Sequence, residues 1–134
     1  MIKELEDIKI NVKIKLSALW ITLMLIFIYA DLFGFFIPGH IEEVITFELR
    51  EMTQIFLLGF MIYMTIPSLM VILSLTLKAR INRIVNIIIG IFQALFVVAG
   101  IADPNFYFVF ASIVETVLLS LIVWNAWKWP TQES

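Results

Sequence analysis

Asp31 and Glu115 each lie well inside a long apolar run, and that setting defines the chemistry open to them. An acid within hydrocarbon costs at least a few kcal/mol, so such groups face a protein interior or a wet cavity. There they hold a ligand, pass a proton or bond one helix to another. Asp31 stands fifteen residues into the first run and Glu115 nine into the fourth. Helical rise puts them ~8–10 Å and ~14 Å from the outer boundary, about one turn apart, so they can meet directly or through a water. No lysine or arginine lies at that depth to neutralise them.

Gln93, at a comparable depth in the third run, and Tyr29, two residues before Asp31, complete a candidate ligand-binding or proton-linked set of Asp31, Glu115, Gln93 and Tyr29. Each has a plainer reading. Asp31 is near enough to the boundary to reach the headgroup region, while Glu115 and Gln93 are equally suited to interhelical hydrogen bonding. Pro67, between Thr65 and Ser68, removes an intrahelical hydrogen bond and is expected to kink the second run, more as a shape element than as a gate. Lys78, Arg80 and Arg83 are assigned to orientation, with anionic lipid headgroups as a secondary role.

Other site chemistries find little to work with. There is no cysteine, so neither thiol redox chemistry nor thiolate metal ligation is available. The one histidine, His40, stands in a connecting loop, and a bis-histidine haem needs two. No lysine lies inside a run to carry a Schiff base. No metal-ligand cluster, nucleophile–base pair or phosphate-cradling glycine loop appears, so no metal and no cofactor is expected. An enzyme using the two acids for proton transfer is the least favoured reading, and nucleic-acid binding is excluded for want of a basic folded surface.

The elements that must position these residues are the runs themselves, at about 16–37, 52–77, 84–102 and 106–127. Each approaches or exceeds the ~20 residues that a helix needs to cross ~30 Å of hydrocarbon. They are apolar nearly all round, unlike the helices of a water-soluble bundle. Apolar residues make up 62% of the 134, and charged residues 15% against the ~25% usual in soluble domains. The expected fold class is all-α: an integral membrane four-helix bundle, a single domain over 1–134, with short loops. The first run is read as a retained span, because acids crowd the segment before it and no small-x-small cleavage site follows.

Lys3, Lys9, Lys13 and Lys15 precede the first run, Lys78, Arg80 and Arg83 lie between the second and third, and Lys128 follows the fourth. The loop of four glutamates between the first two runs holds only Arg50. The positive-inside rule then puts both termini in the cytoplasm, with Trp20, Trp124, Trp127 and Trp129 near the inner interface. Residues 8–16 alternate apolar and polar, yet a lone strand at a membrane surface leaves its edges unpaired. An interfacial N-terminal helix over 1–15 is therefore expected, with its lysines snorkelling. After Pro38-Gly39, Ile41, Val44, Ile45 and Leu49 predict a short amphipathic helix.

The stretch from Leu5 to Trp20 (LEDIKINVKIKLSALW) resembles a family of uncharacterised small bacterial membrane proteins. The similarity extends through Tyr29 with Asp31, Pro38-Gly39, Ile66 to Met70, Leu73 to Leu75, Asn82-Arg83, Asn86-Ile87, Glu115 and Ala126 to Pro130. It implies four spans in a bacterial cytoplasmic membrane and no biochemical role. In size and layout the chain is also similar to the DoxX-like group of four-helix membrane proteins, an analogy of architecture. Three functions follow as expectations. The first is binding of a hydrophobic or amphipathic ligand, lipid or quinone-like, in a bundle pocket with buried acids. The second is an accessory or scaffold subunit of a larger membrane complex. The third is a proton-coupled carrier, which with four spans calls for a homodimer.

Overall fold

The computed structural model describes residues 3–50 and 53–131. Five helices follow one another: α1 (Val12–Gly34), α2 (His40–Arg50), α3 (Gln54–Thr76), α4 (Ala79–Val97), which tightens into a 3-10 turn at Val98–Ala102, and α5 (Phe106–Trp127). All except α2 are long and apolar enough to cross a membrane. The protein is a multi-pass, all-α membrane bundle.

The ends of the helices correct several expected boundaries. Residues 3–11 form neither helix nor strand, so the interfacial N-terminal helix is not formed there. Alternation gives that segment no single apolar face, and Asn11, in extended conformation, starts α1 by accepting the Lys13 amide at 2.8 Å. At its other end α1 stops at Gly34 rather than Ile37, and Gly39 (φ 83°) turns the chain into α2. The amphipathic helix expected in this loop is present as α2, with Glu42 and Glu43 in its first turn, where the helix dipole favours acids. Met52, the expected start of the second span, lies outside the described residues; α3 begins after Thr53, whose hydroxyl accepts the Phe56 amide. α3 runs on through buried Pro67, and on either side the Thr65 and Ser68 hydroxyls donate to the carbonyls of Met61 and Met64.

The third span starts at Ala79 instead of residue 84, so Arg80 and Arg83 are on a helix and only Leu77 and Lys78 join α3 to α4. Asn82 is the cause: its side-chain amide donates to the Ser74 carbonyl (2.7 Å) and the Leu77 carbonyl (3.3 Å), fastening the turn from inside. At the opposite end Asp103 accepts from the backbone and side chain of Asn105, which tightens the link into α5.

α5 packs along both α4 and α1, and α1 along α3, whereas α3 and α4 meet over only a thin seam. Beside the chain termini the bundle is solid. Leu16, Trp20, Leu23, Met70, Leu119, Ile122 and Ala126 form its core. Gly90 keeps α4 against α5, since a Cβ there would come within 2.9 Å of Val123. Trp20, expected at the interface, is fully buried instead. Its indole N–H donates to Asn86 Oδ1 at 2.7 Å, which satisfies the ring's polar atom and frees it to pack. The Ser74 hydroxyl donates to the same oxygen, and the Asn86 amide donates to the backbone and side-chain oxygens of Asn82. Ser17 adds a bond to the Val71 carbonyl. Every polar group of this layer is answered from a neighbouring turn or helix, as a water-free interior requires.

Candidate functional site

The opposite half of the bundle is hollow. A cavity of about 220 Å³ lies where all four spans converge. From α1, Phe27, Ala30 and Asp31 face it, spaced i, i+3, i+4 along one helical face. From α5 come Phe108, Ser112 and Glu115, spaced i, i+4, i+7. Tyr63 and Met64 of α3, and Phe96, Val97 and Gly100 of the α4 segment, complete the wall. Gly100 is there for closeness: a Cβ at that position would strike the Ser112 hydroxyl and come within 2.9 Å of the Phe108 ring. The 3-10 turn can therefore lie directly on α5.

The two acids, expected about one turn apart, do line one space, with Asp31 farther out than the sequence placed it. Glu115 is only 5% exposed, whereas Asp31 is exposed rather than buried. The early end of α1 explains this, because Asp31 lies ~4–5 Å from its last residue while Glu115 lies ~13–14 Å inside α5. Asp31 is thus at the rim and Glu115 at the base. Among the described residues no hydrogen bond or ion pair reaches the Glu115 carboxyl. No lysine, arginine or histidine lines the cavity.

The other sequence candidates divide. Gln93 is fully buried beside the cavity wall rather than on it. Its Oε1 accepts a 3.1 Å bond from the Tyr63 hydroxyl, and its Nε2 has no partner among the described residues. Tyr29 does not line the cavity: it is 54% exposed and stacks on Phe33, because two residues along a helix turn it ~200° away from Asp31. Pro67 is on α3 one turn beyond Tyr63 and lines no part of the cavity. Lys78, Arg80 and Arg83 are at the other end of the bundle. There the Arg83 guanidinium donates to the last carbonyls of α5, at Ala126 and Trp127, and lies 5.5 Å from the Trp127 ring. Arg83 thus caps a helix, whatever it offers to headgroups.

Sequence reasoning missed the phenylalanines of the wall: Phe27, Phe96 and Phe108. Stepping three, four or seven residues from each acid would have found Phe27 and Phe108. Nothing local marked Phe96, which helix packing brings against Tyr63, whose phenol within the second run was a visible polar candidate. These two rings meet edge-on, 5.6 Å between centroids, and they also line a second feature. An apolar groove of about 600 Å³ runs outward from them along α3, past Phe60, Gly59, Phe56 and Ile55. Cavity and groove therefore adjoin at Tyr63 and Phe96, on the thin α3–α4 seam.

A family described as being of unknown function, DUF6326, matches residues 3–134. No curated protein and no solved structure matches the chain.

Proposed function

The chain belongs to the DUF6326 family, a family of unknown function, and from its hollow half we propose that it binds a small amphipathic ligand. The headgroup occupies the cavity under Glu115, and the tail lies in the groove along α3. One observation carries this reading: Glu115, only 5% exposed, opens onto empty space, with no hydrogen bond or ion pair to its carboxyl among the described residues. Interhelical glue would show a bonded neighbour, as the Asn82–Asn86–Trp20 layer does. An unpaired intramembrane acid is costly, and a bound ligand is what repays the cost.

Size supports the division of the ligand. The cavity exceeds the ~150 Å³ that accepts benzene, yet falls below the ~300 Å³ at which drug-sized sites begin. It suits a small headgroup and excludes a whole lipid or tailed quinone. The larger groove is apolar and takes the remainder. We place the protein in a bacterial cytoplasmic membrane with both termini cytoplasmic, on the distribution of its lysines and arginines. The cavity then opens in the outer half. The likeness to DoxX-like proteins is one of layout and adds nothing to the ligand.

The absence of cysteine makes the test direct. Gly59 lines the groove, and a Cβ added there meets nothing within 4 Å. Gly59→Cys is expected to fold normally, and a bulky maleimide on it fills the groove. Native mass spectrometry of gently extracted protein should show a retained amphiphile on the unlabelled variant and none on the labelled one. Equal occupancy in the two, or wild-type protein that retains nothing, overturns the proposal.

A further inference from the structure

We infer that the headgroup held in the cavity is cationic: an amine or quaternary ammonium carried on an apolar tail. The inference rests on the binding role proposed above and adds the sign of the ligand's charge. Three features of the wall point the same way.

The charge-bearing residues of the wall are both acids, Asp31 and Glu115, with no base among them. An anionic headgroup, phosphate or carboxylate, would meet like charge in a low-dielectric space with nothing to neutralise it. A cation entering past Asp31 to Glu115 passes from an exposed acid to a buried one that has no other partner among the described residues.

Aromatic rings supply the rest of the contact. Phe27, Tyr63, Phe96 and Phe108 reach the cavity from α1, α3, α4 and α5, one from each span. The negative face of such a ring attracts an ammonium group, and the attraction grows when the cation is desolvated, as in aromatic cages for methylated amines. A neutral headgroup can hydrogen-bond to a carboxyl but gains neither the ion pair nor the attraction of the ring faces. A metal cation would want more oxygen ligands than two carboxyls provide; among the described residues no group of three His, Cys, Asp or Glu forms.

The surroundings repeat the sign. At the cavity end of the bundle Glu42 and Glu43 open α2, and Asp103 forms the turn before α5. Lys78, Arg80, Arg83 and Lys128 are at the far end. A cation is therefore drawn toward the cavity end and an anion is not.

Three probes with the same tail decide the matter: dodecyltrimethylammonium, dodecanol and laurate, each titrated against wild-type protein in a neutral detergent and read by native mass spectrometry. The ammonium probe should bind at least about tenfold more tightly than either of the others. Glu115→Gln should abolish that preference, bringing the ammonium probe down to the affinity that the same variant shows for dodecanol. Asp31→Asn, at the exposed rim, should reduce the preference without abolishing it, and it serves should Glu115→Gln not fold. Three similar affinities, or a preference for laurate or dodecanol, overturn the cationic assignment and leave amphiphile binding standing. If none of the three binds, the binding role falls as well.

Discussion

The Tyr63 hydroxyl donates a 3.1 Å hydrogen bond to Gln93 Oε1, joining α3 to α4 where those helices otherwise barely touch. Tyr63 also lines both the acidic cavity and the apolar groove, and its ring packs against Phe92 and Phe96. Ser74, Asn82 and Asn86 join the same two helices at the far end, so at the cavity end the polar link is made by the residue that stands between cavity and groove.

Tyr63→Phe keeps the ring and removes that link. It leaves both ends of the Gln93 amide unpaired, which costs about 1 kcal/mol in a membrane interior. Ligand exchange should become faster while the cavity remains formed. Stopped-flow release of a bound fluorescent amphiphile measures this; an unchanged release rate would show that the seam plays no part in access.

Glu115→Gln should leave the unfolding temperature unchanged or raise it, because no hydrogen bond or ion pair is lost. Removing a buried carboxyl that makes no bond among the described residues relieves the fold, at the expense of the binding role proposed for it. A drop of several degrees in ligand-free protein would identify Glu115 as structural instead.

Asn86→Ala acts in the opposite half and should have the opposite sign. It leaves the Trp20 indole N–H without an acceptor and takes a bonding partner from both Ser74 and Asn82. The expected loss is about 1–3 kcal/mol, read by chemical denaturation in mixed micelles. Amphiphile binding per folded molecule should be unaffected. A variant as stable as wild type would mean that the buried layer is not the clamp described above.

Gly100→Ala and Gly59→Ala form a matched pair. A methyl at Gly100 collides with Ser112 and Phe108, and overpacking of this kind costs about 1–3 kcal/mol. Combining it with Ser112→Ala removes the nearest atom and should recover part of the loss. At Gly59 the methyl has open space within α3, so helix propensity alone should stabilise by about 0.5–1 kcal/mol. Thermal unfolding of the three variants side by side tests the packing; equal effects at Gly100 and Gly59 would contradict it.

Much of the architecture was legible because hydrophobicity and length act locally. Apolar stretches of near-spanning length specify helices in lipid whatever their neighbours, so the number of spans and the 106–127 limits followed directly. The amphipathic loop helix was equally plain from Ile41, Val44 and Ile45. Boundaries set by single side chains were not: Asn11 capping α1, or Asn82 reaching back to Ser74, depends on an atom finding a partner that periodicity does not show.

The sequence by itself determined that Asp31 and Glu115 lie within spans, since their position in apolar runs is a property of the chain alone. Only the tertiary structure decided that they line one cavity, that Tyr29 is outside it, and that Trp20 is buried against Asn86. The reason is rotational. Hydropathy fixes where a residue falls along a helix axis, but the direction it faces is set by which helices pack together, and spans apolar on every side leave that choice to small and polar contacts such as Gly90, Gly100 and the asparagines.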